Sequence, residues 1–179
     1  IDTESHVTYE WDMEKLDRLI PLAVRFLDSI IDTSPQPLQL ITDATVRTRK
    51  IGLGVMGFAD ALIKMNVAYD SMRGLEHADC IMKYINDKAL EASVELGKEK
   101  GVFPAYELDK LGPPRRNAVV TTIAPTGSIS AIAGVSSGIE PIYAVAYTRK
   151  AFGDTEVCEF HNELEQQLKQ RNLDTKELV

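Results

Sequence analysis

The feature that most constrains this chain is a β-branched run leading into a segment of small residues. Residues 118–123 read Ala-Val-Val-Thr-Thr-Ile, which predicts a strand, and residues 124–134 read Ala-Pro-Thr-Gly-Ser-Ile-Ser-Ala-Ile-Ala-Gly. The second segment predicts a turn with Thr and Ser as candidate caps, followed by a helix. The first amides of a helix have no intrahelical acceptor and lie at the positive end of its dipole, so they can hold an anion. We therefore predict a phosphate-binding turn at Pro125, Thr126, Gly127, Ser128 and Ile129, with an ordinary capped turn as the alternative.

The charge distribution favours this interpretation. The chain has a formal net charge of −7, yet no acidic residue lies between Asp109 and Glu140, where Lys110, Arg115 and Arg116 are basic. A locally positive window attracts a small anion because the field is concentrated at one cleft. The overall acidity argues against nucleic acid as a partner.

Composition indicates an enzyme or a piece of one. Of 179 residues, 44% are hydrophobic and 7% aromatic, as in ordinary α/β proteins. No segment has the apolar length of a membrane span, and the first residues do not show a signal-peptide pattern, so we expect neither feature. Two cysteines, Cys80 and Cys158, are too few for a disulfide framework, which favours the cytoplasm. The chain begins at Ile1 without a methionine, and we expect a fragment.

Helical periodicity dominates the first hundred residues. It predicts helices over 13–32, with Pro21 bending or interrupting the helix, over 38–48, and over 71–100. Cys80 lies one position off the apolar stripe of the third helix, and we expect it to be packed. That stripe consists of Leu75, Ala78, Met82, Ile85, Ala89, Ala92 and Leu96.

Later segments predict one more strand and one more helix. Residues 139–147 predict a strand, and residues 160–171 predict a terminal helix. We expect residues 1–101 to be mostly helical, 102–150 to contain the strand, turn and helix, and 151–179 to form a C-terminal helical segment.

Residues 52–57 match the dinucleotide-binding pattern G-x-G-x-x-G, but their context does not fit it. The preceding Val-Arg-Thr-Arg-Lys-Ile is too basic for a buried parallel strand, and a long helix follows instead of a second strand. We predict a structural role, in which the glycines allow close backbone packing.

No catalytic or metal-binding set stands out. His6, His77 and His161 are scattered without a companion ligand at helical spacing. Cys158 lies near Glu159 and His161, but a structural cysteine is the simpler interpretation because no third, orienting group is evident. We assign no catalytic residue and no metal ligand.

Two long segments resemble a known family. IGLGVMGFADALIKMNVAYDS (51–71) and RRNAVVTTIAPTGSISAIAGVSSGIEPIYAVAYTRK (115–150) are similar to the catalytic subunit of ribonucleotide reductase, most of all its adenosylcobalamin-dependent class. The stretch FLDSIIDTSPQP (26–37) is similar as well. The resemblance implies an α/β fold, with this helix-rich chain as part of the C-terminal half of a ten-stranded barrel.

The resemblance also implies the chemistry of the intact enzyme. That enzyme reduces ribonucleoside di- or triphosphates to deoxyribonucleotides for DNA replication through a cysteine thiyl radical, with electrons from a cysteine pair and a thioredoxin-type reductant. Its phosphate-binding segment corresponds to the turn at 125–129.

This chain departs from the family in one respect. It contains no Asn-x-Cys-x-Glu motif, which holds the family's radical cysteine, so no radical role passes to Cys80 or Cys158. We expect the fragment to be inactive alone and to bind no cobalamin by itself. Substrate base, phosphate number and oligomeric state are left open, and a non-catalytic helical assembly or binding module is the alternative function.

Overall fold

The computed structural model describes residues 9–109, 112–144, 146–151, 155–161 and 165. These residues group into two compact units. The helical unit comprises Glu10–Gly54 and Leu75–Ile123, and the turn unit comprises Val55–Gly74 with the described residues from Ala124 onward. The elements are α1 (Met13–Thr33), α2 (Gln39–Thr48), α3 (Phe58–Lys64), α4 (Met72–Lys100), α5 (Tyr106–Asp109), α6 (Gly127–Ala133), β1 (Ala146–Ala151) and β2 (Thr155–Phe160).

Helix α1 confirms the first predicted helix. Its N-cap residue Asp12 accepts a hydrogen bond from the backbone N–H of Lys15 at 2.9 Å. The predicted interruption at Pro21 is wrong, because α1 runs through this exposed proline. Ile20 and Val24 on either side are buried, and their packing holds the helix together.

Helix α4 confirms the longest predicted helix and ends before Gly101, which has a φ of +87°. Its buried positions are Gly74, Ile81, Ile85, Ala89, Ser93 and Leu96. The stripe was placed correctly at Ile85, Ala89 and Leu96, whereas Leu75 is 61% exposed. The expectation that Cys80 is packed is wrong, since its side chain is exposed. The next residue, Ile81, is buried instead. Successive residues of a helix are rotated by about 100°, so adjacent side chains face different sides of the helix.

Extended backbone in the helical unit partly confirms the predicted strand at 118–123. Residues 51–53 lie parallel to it, with a bridge between Leu53 and Thr121. The N–H of Leu53 donates to the carbonyl of Val120 at 2.8 Å, and its carbonyl accepts from the N–H of Thr122 at 3.0 Å. Ile51 is buried despite its basic neighbours. The bridge at Leu53 lies within the glycine pattern, and residues 46–48 before it belong to α2, which agrees with the expectation from charge.

An antiparallel hairpin of β1 and β2 corrects the prediction for the last part of the chain. Its register runs from Ala146 opposite Phe160 to Ala151 opposite Thr155. The strand predicted at 139–147 begins only at Ala146, and Pro141 within the predicted range lacks the N–H that a ladder needs. The expected helical segment does not include 155–160. There Thr155 and Val157 are β-branched and Phe160 is aromatic, residue types that favour strands. Glu165 is helical, and the rest of the predicted helix from 162 on lies outside the described residues.

Candidate phosphate-binding turn

The turn at 125–129 leads into α6, as predicted. Thr126 occupies the N-cap position in the left-handed conformation, with φ 53° and ψ 26°, and its carbonyl accepts from the N–H of Ser130 at 2.8 Å. The expected side-chain cap is wrong, because Thr126 makes no capping hydrogen bond. Its Oγ1 accepts instead from the N–H of Gly138 at 2.7 Å. A β-branched residue is strained at positive φ, so these two hydrogen bonds hold it there.

The first amides of α6 are available to a ligand. Among the described residues, the N–H groups of Gly127, Ser128 and Ile129 have no protein acceptor, and all three residues are exposed. A Cβ built on Gly127 meets no atom within 4 Å. The turn thus presents three adjacent donors at the positive end of a short helix, the arrangement that favours an oxyanion.

The chain after α6 supports the turn from behind. Ser137 Oγ lies 3.0 Å from Ser130 Oγ, and the N–H of the adjacent Gly138 donates to Thr126 Oγ1. Gly138 has φ +49°, and a Cβ there would lie 2.7 Å from the carbonyl oxygen of Ala124. Only glycine fits at this position, because both the backbone conformation and the contact exclude a side chain.

Helix α3 holds the same supporting segment through an acidic residue that the sequence analysis missed. Asp60 is 9% exposed, and its Oδ2 accepts from the N–H of Ser136 at 2.6 Å. Its Oδ1 lies 2.6 Å from Nε2 of His161, a pairing that helical spacing does not reveal. The N–H of Gly57 donates to the carbonyl of Ser136 at 2.8 Å. The side-chain oxygen of Ser136 is buried without a partner in the described part of the chain.

The two described arginines of the basic window are engaged in the helical unit. The guanidinium of Arg115 donates to the carbonyls of Asn117 and Ala118, both at 3.1 Å. Arg116 donates to the carbonyls of Lys100 and Gly101. Arg116 also pairs with Asp28 Oδ2 at 3.3 Å, so these two arginines are engaged within the helical unit and do not support the interpretation of the window as an anion site. Lys110 lies outside the described residues.

A network of buried charged and polar side chains, which no local sequence pattern indicates, organises the helical unit. Asp28 is fully buried, and its Oδ1 accepts from Nε of Arg49 at 2.8 Å and from Nδ2 of Asn117 at 2.9 Å. Burial alone would raise the pKa of Asp28, but hydrogen bonds from Arg49 and Asn117, together with the charge of Arg49, hold it below its ordinary value. Asn117 also receives a hydrogen bond from Ser93 Oγ at 2.9 Å. Asp32 pairs with Arg49 from the surface side.

The three glycines of the G-x-G-x-x-G pattern have packing roles, which confirms the structural interpretation. In the helical unit, a Cβ on Gly52 would lie 2.6 Å from Cγ2 of Thr122, and one on Gly54 would lie 3.0 Å from the Thr122 carbonyl oxygen. In the turn unit, Gly57 has φ +78° and faces Val135, whose Cβ would be 3.3 Å from an added Cβ.

Other chemical candidates are occupied or lie outside the described residues. His77 Nδ1 accepts from Nε1 of Trp11 at 3.3 Å, and His6 is not among the described residues. The described segments contain no cluster of His, Cys, Asp or Glu that could hold a metal ion. Within the same segments, no helix has both the length and the apolar character that crossing a bilayer requires.

Comparison with known proteins identifies the family. The sequence matches the family described as "Ribonucleotide reductase, barrel domain" over residues 3–115 and 112–179. The chain therefore belongs to the ribonucleotide reductase barrel-domain family, and the predicted resemblance is confirmed.

Individual relatives agree with this assignment. The chain is 44% identical over 171 residues to a "Vitamin B12-dependent ribonucleoside-diphosphate reductase" of Thermoplasma acidophilum, covering 94% of this chain and 22% of the relative. A protein of the same name from Mycobacterium tuberculosis is 45% identical over 144 residues, covering 79% and 21%. A "Ribonucleoside-diphosphate reductase subunit alpha" of Chlamydia muridarum is 34% identical, covering 74% and 16%. The chain thus spans about a fifth of the length of the B12-dependent relatives.

Proposed function

We propose that the intact enzyme reduces ribonucleotides and that this chain supplies the turn that holds the substrate's phosphates. The observation that carries the proposal is the set of three exposed N–H groups at Gly127, Ser128 and Ile129, which have no acceptor among the described residues. Membership of the reductase family supplies the chemistry that such a turn would serve. The relatives' names favour a ribonucleoside diphosphate as substrate.

The role of the turn in catalysis would be positional. Hydrogen bonds from the three amides, with the Ser128 hydroxyl and the remaining O–H of Thr126, would anchor the phosphates away from the reacting sugar. Such remote binding energy fixes the ribose against the reactive group and lowers the entropic cost of the reaction. The thiyl radical itself would belong to another part of the enzyme, because this sequence lacks the family's radical-cysteine motif.

The surrounding assembly follows from the family. We propose that these residues belong to the C-terminal half of a ten-stranded α/β barrel, completed by the remainder of the reductase chain. Deoxyribonucleotide synthesis would take place in the cytoplasm with a thioredoxin-type protein as the reductant. The division into residues 1–101, 102–150 and 151–179 stays a prediction.

The names of the relatives also point to adenosylcobalamin in the intact enzyme. It supplies the radical that the reaction needs. Among the described residues, no group of His, Cys, Asp or Glu side chains is arranged to hold a metal ion. We therefore assign no residue of this chain to the cofactor and route no step through it.

The alternative of a helical assembly module loses its main support in the structure. That alternative uses the apolar stripe of α4 as a partner surface, but Ile85, Ala89 and Leu96 are at most 4% exposed. These three side chains are already buried, and within the stripe only Leu75 at its start is exposed, at 61%.

Hydrogen exchange in the intact reductase tests the proposed function. Ribonucleoside diphosphate should slow amide exchange in peptides covering 124–134, because the ligand would accept hydrogen bonds from the first amides of α6. The matching ribonucleoside without phosphates serves as the control and should leave that exchange unchanged. Exchange that is equally fast with saturating diphosphate, in an enzyme that is turning over, would refute the role of the turn.

A further inference from the structure

We infer that Asp60 is a positioning residue for the phosphate-binding turn, acting through the segment 136–138. This inference rests on the proposed function of the turn. It assigns a role to a carboxylate that touches none of the three amides. Every contact used below lies within the turn unit.

The carboxylate of Asp60 is held on both oxygens. Oδ2 accepts from the backbone N–H of Ser136 and Oδ1 is bonded to His161, each at 2.6 Å. The side chains of Asp60 and His161 are only 12% and 14% exposed. Hydrogen bonds to a shielded carboxylate are among the stronger ones in proteins, so this pair fixes the backbone at Ser136 to helix α3.

Three consecutive residues carry this constraint to the turn. Ser136 is held by Asp60 and also accepts from the N–H of Gly57 at 2.8 Å. Oγ of the next residue, Ser137, lies within hydrogen-bond distance of Ser130 Oγ in α6. The N–H of the residue after it, Gly138, donates to Thr126 Oγ1. The backbone of 136–138 is thus bonded to α3 on one side and to the turn on the other.

Loss of the contact between Asp60 and Ser136 would affect Thr126, the strained residue of the turn. Thr126 keeps a left-handed conformation only while its neighbours hold it there, and one of those bonds comes from Gly138. Releasing Ser136 from Asp60 would loosen this bond and misplace the amides of α6. Misplaced amides would donate weaker hydrogen bonds to the phosphates, so the affinity for the ribonucleotide would fall.

Steady-state kinetics of the intact reductase tests the inference. Asp60→Leu keeps the approximate size of the side chain but removes both acceptors, so we expect KM for the ribonucleotide to rise about tenfold. The turnover number at saturation should change less than twofold. Inorganic pyrophosphate, used as a competitive inhibitor, should lose affinity by a similar factor. A purely structural role would reduce the amount of active enzyme and leave KM and the pyrophosphate affinity unchanged.

Two changes at His161 provide independent variants should Asp60→Leu fail to fold. His161→Ala should raise KM in the same direction, whereas His161→Gln, which can still donate to Asp60, should restore it. His77→Gln is the matched control, because His77 is also half-buried and hydrogen-bonded but lies in the helical unit. Its KM should equal that of the unmodified enzyme.

A variant of the turn itself separates the two proposals. If Gly127→Val raises KM while the Asp60 and His161 variants leave it unchanged, the positioning role is refuted and the phosphate-binding turn stands. If none of these variants changes KM or the pyrophosphate affinity, the proposed function of the turn fails, and the role of Asp60 fails with it.

Discussion

Replacing Gly127 by valine tests whether the backbone of this turn approaches a substrate. In the free protein the change is tolerated sterically, because a Cβ at Gly127 has no atom within 4 Å and the residue does not have positive φ. A phosphate hydrogen-bonded to the Gly127 amide would, by contrast, lie where the added methyl groups project. The cost should therefore fall on binding and leave folding intact.

The size of the effect follows from the donors involved. A hydrogen bond to a charged group contributes about 1.5–3 kcal/mol, and each 1.4 kcal/mol corresponds to roughly a tenfold change in affinity. Loss of one amide contact should thus raise KM for the ribonucleotide by about tenfold or more. The melting temperature of the intact enzyme should stay within about 2 °C, since exposed substitutions away from special contacts cost little.

The assay is ribonucleotide reduction by the intact enzyme over a range of substrate concentrations. Ala133→Val is the matched control, because it adds a β-branched side chain at the other, exposed end of the same seven-residue helix. Its KM should be unchanged. A Gly127→Val enzyme with normal KM and full activity would refute phosphate contact at this turn.

Three further outcomes are expected for the intact enzyme. Gly138→Ala should destabilise the turn unit by about 2 kcal/mol or more, seen as faster hydrogen exchange at 124–138, because its Cβ would collide with the carbonyl of Ala124 at positive φ; normal exchange would refute the contact. Asp28→Asn should cost the helical unit about 3 kcal/mol in a denaturation experiment, since it leaves the buried guanidinium of Arg49 undercompensated; an unchanged midpoint would contradict this. The folded-state pKa of Asp28 is lowered, so its stabilising contribution is complete above the ordinary aspartate pKa and is lost as the pH falls below about 4. Denaturation midpoints measured from pH 6 to 3 should therefore fall less steeply for Asp28→Asn.

Local pattern was enough to predict the long helices and the turn. The apolar repeat of α1 and α4 and the Pro-Thr-Gly-Ser sequence at the start of α6 depend on neighbours at most four residues away, which the sequence displays directly. The buried face of α4 was harder to predict, because several of its alanines fit more than one apolar stripe along the helix. That ambiguity is why Cys80 was placed inside although Ile81 takes the buried position.

Contacts between distant residues could not be predicted in this way. Asp60 and His161 are 101 positions apart, and Asp28 and Asn117 are 89 apart, so no spacing rule links them. Each of these polar residues looks like an exposed surface group in the sequence. Their pairing becomes visible only when the fold buries them together, since a buried charge requires a partner.

The contact of Gly52 with Thr122 implies a rule for sequence variation in this family. The two backbones run so close that a methyl group at position 52 would lie 2.6 Å from the γ-methyl of Thr122. An alanine at 52 should therefore occur together with serine or glycine at 122, since one side chain must shrink where the other grows. Position 52, although part of a pattern that resembles a cofactor fingerprint, would then covary with position 122, seventy residues away. Packing, and not binding of a dinucleotide, would be the reason.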